Sequence, residues 1–313
     1  MLATIAQREL IAPVGPFAGL GLFSGKPGSL RVLPAPAGSG LILRSVRVEG
    51  IESSPATIAH LTTDTSWSSV PARLPPGITP HRLVRNTTLT VGPRVLATIE
   101  HIMGALAGLA IADAIIEVQG IEVPILDGSA HAFAHALHEA SREHHPPASV
   151  GRRESIKLTR EVHVEEAGAS IVATPLPANQ TPSVTYHLNY DGPLAMAFPP
   201  QSATWHADAH GPASFLRDIA PARTFSFESE ARAAHSLGMF HGFSSSDLLI
   251  LRHDGTPVEG SLRFSDEPAR HKLLDLLGDL ALLGHPMHAK VIATRSGHAL
   301  THNLCRAILQ AMM

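Results

Sequence analysis

The segment Arg270-His271-Lys272-Leu273-Leu274-Asp275-Leu276-Leu277-Gly278-Asp279-Leu280 separates into two faces when wound as a helix. At about 100° per residue, with His271 at zero, Asp275 falls near 40°, Asp279 near 80° and Lys272 near 100°, while the leucines fill roughly 140° to 300°. Ser265-Asp266-Glu267-Pro268 supplies the start signal, an N-cap side chain and an early proline, so a helix is expected from Ala269 through Leu283. Such a helix covers one face of a sheet. Strands for that sheet lie on either side: Glu154 to Val164, Ser170 to Ala173 and Ser183 to Tyr190 before it and His288 to Arg295 after it, with a last helix following Gly297.

The first half follows the same order, strands before helices. Gly21 to Gly28, Ser29 to Leu33 and Gly40 to Val48 read as short strands and turns, and a loop-rich stretch runs to Pro80. Thr98 is the expected N-cap of a helix over Ile99 to Leu109, and Ala114 to Val118 has the β-branched character of a buried strand. The turn Asp127-Gly128-Ser129 then opens an Ala/His-rich helix to about Arg142. Glu143 to Arg153, with its prolines, glycine and charge, is the linker, so the chain divides into 1–146 and 147–313. No repeat of fixed period relates the halves, so any symmetry between them is structural.

Composition narrows the function. The 313 residues include 44% hydrophobic and 16% charged residues, enough for a large α/β or α+β core. A net charge of −3 gives no general basic field, which argues against nucleic-acid binding. The charged start of the chain at Arg8-Glu9 and the lack of a long apolar run predict a cytoplasmic protein with no integral membrane segment. One cysteine, Cys305, rules out an internal disulfide and any multi-thiolate metal site, which leaves histidine and carboxylate as metal ligands. Cys305 itself reads as core.

The polar face of the 270–280 helix has two readings: a solvated surface, or a divalent-ion chelate, since His271 and Asp275 at i, i+4 stack one turn apart. A third ligand must come from elsewhere. Glu100-His101 is the natural source, because a metal hydrolase needs a carboxylate beside its ligand to take a water proton, although the pair equally suits a helix surface. His298, on the turn Ser296-Gly297-His298, has the position of a general acid. Gly19 to Pro27 is a poor P-loop, with no glycine five residues before Gly25 and Pro27 in place of the metal-binding hydroxyl, and reads as a tight turn. His131, His135 and His138 share a helix face but read as solvated surface.

Taken together these segments are joined by Leu33-Pro34-Ala35-Pro36-Ala37, Val123-Pro124-Ile125-Leu126-Asp127-Gly128-Ser129, Ala222-Arg223-Thr224-Phe225 and Leu262-Arg263-Phe264. In this order, along nearly the whole chain, they resemble the UDP-3-O-acyl-N-acetylglucosamine deacetylases, the zinc amidases that commit sugar nucleotide to lipid A synthesis in Gram-negative bacteria. The resemblance implies an α+β fold of two similar two-layer sheet/helix domains, each with a small insert, that of the second half at about 222–246, and an active site at the domain interface. It implies one zinc ion per chain on His101, His271 and Asp275, Glu100 as general base and His298 as the acid that protonates the leaving amine. Asp279 would orient or charge-stabilise His298, Thr224 would help hold the oxyanion, and Lys272 would meet a substrate phosphate. Phe225 would form one wall of the acyl passage, and Tyr190 would stack on the uracil. The implied ligand is a small-molecule UDP-sugar with a lipid chain, and no obligate protein partner is expected.

Three positions depart from the family pattern. Phe23 stands where the family has histidine, removing a polar group from near the site. Gly192 replaces another histidine in the stretch Leu188 to Pro193, and Gly238 to Ser244 diverges in the second insert. These departures favour, as an alternative, a paralogous zinc amidase acting on a different N-acetylated sugar or amphiphile. A catalytically silent sugar-nucleotide sensor is a third reading, opposed by the presence of both Glu100 and His298.

Overall fold

A computed structural model of the chain describes residues 7–71, 74, 83–143, 155–240, 242–243 and 248–312. The first half begins with β1 (Arg8–Leu10), β2 (Val14–Leu20), β3 (Pro27–Pro34), β4 (Leu41–Arg47) and β5 (Gly50–Pro55). The hairpin β6 (Thr88–Val91) and β7 (Arg94–Ala97) leads into α1 (Glu100–Gly108), followed by β8 (Ala114–Gln119), α2 (His131–Glu139) and β9 (Ser141–Glu143). The second half contains β10 (Ile156–Lys157), β11 (Val162–Glu166), β12 (Ala169–Pro175), β13 (Ser183–Leu188), α3 (Gly192–Ala197) and β14 (Gln201–His206). It continues with β15 (Phe225–Phe227), α4 (Glu228–Ser236), β16 (Leu249–Leu251), α5 (Glu267–Leu280), β17 (Met287–Thr294) and α6 (His298–Ala311). No helix among the described residues is long and apolar enough to cross a membrane.

The fold is α+β, and its two main sheets share one topology. The first runs β2-β3-β8-β4-β5 and the second β11-β12-β17-β13-β14. In each, the central strand pairs antiparallel on one side (β3 with β8, β12 with β17) and parallel on the other (β4 with β8, β13 with β17). Each half also carries extra elements in the same slot, the β6–β7 hairpin between β5 and α1, and the parallel β15–β16 pair with α4 between β14 and α5. The alternating burial of β17, with Met287, Ala289, Val291 and Ala293 inward, is what a strand covered on one face requires. α5 covers β13 and β14, and α6 covers β11 and β12. One continuous apolar core joins Leu30, Leu43 and Ile116 of the first half to Leu274, Val291 and Leu304 of the second.

Several boundaries differ from the sequence reading. Leu22 to Ser24 form the turn expected within Gly19 to Pro27, and β3 starts at Pro27 rather than Ser29. Thr98 does not cap α1: it sits at φ 57°, with its hydroxyl donating to Glu122 Oε1 at 2.7 Å, and Ile99 takes the cap position. Asp266 occupies the N-cap of α5 without capping it, because its carboxylate is engaged by Arg270 Nε at 2.7 Å. The Ala/His-rich helix stops at Glu139, since Ser141–Glu143 pairs with β1. β5 carries weak apolar alternation and lies in the stretch read as loop, while the β6–β7 hairpin, whose Thr88-Leu89-Thr90-Val91 does alternate, is an addition to the strands read from the sequence. Of the predicted linker, Glu143 lies in β9 and 144–153 fall outside the described residues, as does the 146/147 division.

The contact that positions the site is between α1 and α5. All of α1 is buried, and it meets α5 closely through Gly104. A Cβ on Gly104 would lie 2.8 Å from Leu274 Cδ1 and 3.0 Å from its carbonyl oxygen, and one on Gly278 would collide with the Glu100 carbonyl. Gly278→Ala is therefore expected to cost about 1–3 kcal/mol, roughly 2–12 °C in Tm. Gly297→Ala, whose added methyl meets nothing within 4 Å, should lose only the preference for glycine over alanine at a helix N-cap, about 0.5–1 kcal/mol. Equal melting of the two variants would contradict this view of the helix contact.

Candidate active site

The polar face of α5 is not wetted. His271, Asp275 and Asp279 are all buried, because α1 and α6 pack over the stripe that the helical wheel left facing outward. The Gly104–Gly278 approach brings the start of α1 across it, so the His101 and His271 rings meet edge to face with centroids 5.1 Å apart. His101 Nε2 lies 3.7 Å and His271 Nε2 3.5 Å from Asp275 Oδ1. One ligating atom from each of the three residues falls within 4.8 Å of the others, which makes them a possible metal-binding group.

The donor set fits a cation on electrostatic grounds. Asp275 Oδ1 is fully buried and has no hydrogen-bond partner, although a buried anionic oxygen left unpaired is costly. Its sister Oδ2 accepts from Lys272 Nζ at 2.7 Å. Burial pushes the Asp275 carboxyl up, but His271, Lys272, His298 and His101 together outweigh it and hold the group below the usual carboxylate range. Burial, reinforced by His271, pushes His101 down to about 3, and burial also lowers His271, so both imidazoles are neutral and free to coordinate. His271 Nδ1 donates to the Ala222 carbonyl at 3.1 Å, which leaves the Nε2 lone pair facing Asp275. Ala222 is itself held by its neighbour Arg223, paired at 2.8 Å with the buried Glu267 at the start of α5.

Two further titratable groups flank this cluster, and both are pushed toward their protonated forms. Glu100 accepts the Thr87 backbone N–H at 3.0 Å. Burial raises it to about 8, with Asp275 and Asp279 adding to the effect against the opposing charge of His298. His298, the first residue of α6, has Nδ1 2.8 Å from Asp279 Oδ2 and Nε2 3.8 Å from Asp275 Oδ2. Burial disfavours its cation, yet Asp279, Asp275 and Glu100 overcome that and lift it to about 9. Asp279, although buried, is held below the usual range chiefly by His298 and His302.

The remaining predicted residues lie around this centre at different removes. Phe225 meets the His271 ring edge-on at 6.5 Å. Tyr190 stands further off, edge-on to Phe198 at 5.2 Å and Phe227 at 5.3 Å, with burial raising its hydroxyl. Thr224 is tied through its backbone N–H to the Gly128 carbonyl at 2.7 Å. The Lys272 ammonium faces Asp275 rather than open solvent, and that pairing holds it above the usual lysine range despite burial. His135 remains on the surface beside Glu139, and Cys305 is core, its thiol pushed up by burial.

The family model for UDP-3-O-acyl N-acetylglycosamine deacetylase (LpxC) matches residues 8–310. The chain belongs to this deacetylase family, and is a hydrolase acting on an amide. Curated relatives named UDP-3-O-acyl-N-acetylglucosamine deacetylase include one from Chlamydia pneumoniae, 32% identical over 98% of both chains. One from Neisseria gonorrhoeae is 34% identical over 97% of this chain and 90% of its own. A third, from Nostoc sp., is 32% identical over 97% of this chain and 98% of its own.

Within this family setting the departures acquire surroundings. Phe23 is buried in a second apolar cluster with Trp67, Val84 and Met239, its ring 5.9 Å from that of Phe240. The turn around it closes on a carboxyl group: Glu122 accepts from the N–H groups of Phe23 at 3.0 Å and Ser24 at 2.7 Å, where a phosphate loop would hold phosphate. Gly192 has φ 63° at the start of α3 with nothing near its Cβ position, a conformation that favours glycine over histidine. In the second insert His241 and 244–247 lie outside the described residues. The sequence reading missed Thr87, Glu122, Glu267 and His302. Of these only His302 left a usable signal, one helical turn after His298.

Removing and restoring a divalent metal tests the cluster. Metal at a hundredfold excess over its Kd is expected to add about 2.7 kcal/mol of stability to the stripped protein, read as a rise in Tm. His271→Ala should lose most of that rise. A variant that responds like the parent would show that the metal binds elsewhere.

Proposed function

We propose that the chain hydrolyses the N-acetyl group of a UDP-3-O-acyl-N-acetylglucosamine, releasing acetate and the free amine, the committed step of lipid A biosynthesis in the cytoplasm. In this reading residues 1–146 supply Glu100 and His101, and residues 147–313 supply the rest of the site. The observation that carries it is the unpaired, buried Asp275 Oδ1 between two neutral imidazoles. Two imidazole nitrogens and one carboxylate suit a zinc site that keeps an open position. When bound there, zinc supplies Lewis acidity toward the amide carbonyl and the attacking water.

The side chains do the proton work. Glu100, held by Thr87, takes the proton from water as it attacks the carbonyl carbon. Its high proton affinity in the metal-free pocket falls once a cation stands beside it, which suits a base that must be ionised to act. The amide nitrogen cannot leave as an anion, so His298 donates from Nε2 while Asp279 keeps Nδ1–H in place. Thr224 donates to the carbonyl oxygen as charge builds there. Lys272 is the cation for a substrate phosphate, Phe225 lines the acyl chain, and Tyr190 stacks on the base.

The Phe23–Phe240 contact favours a second reading, a paralogous amidase for another N-acetylated sugar or amphiphile, because it closes apolar surface around a position that carries a polar ring in the family. Release of acetate from UDP-N-acetylglucosamine with and without a 3-O-acyl chain separates the two. Exclusive turnover of an unrelated amide would overturn the first.

Glu100→Gln is expected to retain metal and lose about 10²- to 10⁴-fold in kcat. Parent-like turnover would refute the base assignment. The pH profile has a definite sign. His298 donates only when protonated, so kcat/KM should fall on the alkaline side as pH passes through about 9. Asp279→Asn removes the carboxylate that favours the cation, so this limb should move to lower pH, and a shift to higher pH or none would contradict the pairing.

A further inference from the structure

The Asp279 carboxylate is held on both oxygens. Oδ2 accepts from His298 Nδ1 at 2.8 Å, while Oδ1 lies 2.5 Å from Thr87 Oγ1 and 3.4 Å from His302 Nε2. Thr87 Oγ1 is also 3.0 Å from His302 Nε2. Thr87 has one hydroxyl hydrogen, and an ionised carboxylate has none, so that hydrogen goes to Asp279. The threonine oxygen can then only accept, and His302 must present Nε2–H to it. All the hydrogen positions follow in turn: His302 to Thr87, Thr87 to Asp279, and His298 Nδ1–H to Asp279.

We propose that Thr87 and His302 are a positioning pair that fixes the rotation of the Asp279 carboxylate and, through it, the orientation of the His298 ring. A carboxylate turns readily about its last torsion unless both oxygens are held. With Oδ1 released, Asp279 swings and carries His298 Nε2 out of line with the site. His298 and His302 are one turn apart on α6 with stacked rings, 6.3 Å between centroids at 29°, so the second histidine also backs the first. Thr87 belongs to the first half of the chain, and its backbone N–H holds Glu100 Oε2 at 3.0 Å. One residue thereby sets the spacing between the proposed base and the proposed acid. The inference rests on the reading of His298 as proton donor.

Thr87→Val keeps shape and backbone N–H and removes only the hydroxyl. The expected result is a kcat lower by about 10–100-fold with KM and metal content unchanged, and recovery in Thr87→Ser. His302→Leu should show the same loss, and His302→Gln, which offers an amide N–H at similar reach, should retain activity. Parent-like kcat in Thr87→Val or His302→Leu overturns the pair. A second readout separates this from the reading of the enzyme itself: the proton NMR signal of His298 Nδ1–H should be protected from exchange in the parent and in Thr87→Ser, and lost in Thr87→Val. If the parent releases no acetate, the proposed reaction fails while this signal still decides the positioning, and an unchanged signal in Thr87→Val refutes it whatever the activity. Should Thr87→Val not fold, the two His302 variants make the same comparison.

Discussion

Everything at the centre of this protein depends on two helices coming closer than side chains normally allow. α1 and α5 meet through Gly104 and Gly278, and the Glu100 carbonyl fills the space where a Cβ on Gly278 would stand. Burial of an entire short helix follows from this, as does burial of three acidic residues and three histidines that water would otherwise solvate. In a low-dielectric setting such groups persist only where opposite charges, hydrogen bonds or a cation meet them. The leucine face of α5 supplies the apolar packing that keeps the arrangement in place.

The same burial acts differently on neighbouring groups because each has different company. Glu100, met by the Thr87 backbone N–H, is raised to about 8 by burial, whereas Asp275 and Asp279, each facing imidazoles, are held low. His101 is driven to about 3 while His298, backed by Asp279, rises to about 9. A pocket that separates its carboxyls and its imidazoles in this way holds groups of contrasting protonation from only three residue types.

Much of this was legible from residue pattern. The wheel of 270–280 gave the right faces, and the strands with clear alternation, β13 and β17, were found close to their bounds. Reading the polar face as either wet or chelating could not be resolved along one helix, because the answer lies in what packs on it from α1, about 170 residues earlier in the chain. Motif order pointed to the family; it was silent on Thr98, where a left-handed threonine serves Glu122 instead of the helix. Edge strands such as β5 escaped because Gly-Ile-Glu-Ser-Ser-Pro has little apolar rhythm. Thr87, in a segment without periodicity, had no local mark at all.

The two sheets repeat one topology, yet the residues at equivalent places have diverged. α1 and α5 occupy the same slot in their halves, and each opens on a glutamate. Glu100 faces the polar cluster, while Glu267 is locked onto Arg223 and braces the strand of chain that carries Ala222. Within one repeated frame, one glutamate thus faces the polar cluster while the other serves as scaffold, and neither half by itself encloses the three converging side chains. Slippage between the halves would dismantle that enclosure before it melted either sheet, so loss of turnover would register an assembly fault earlier than any measure of secondary structure.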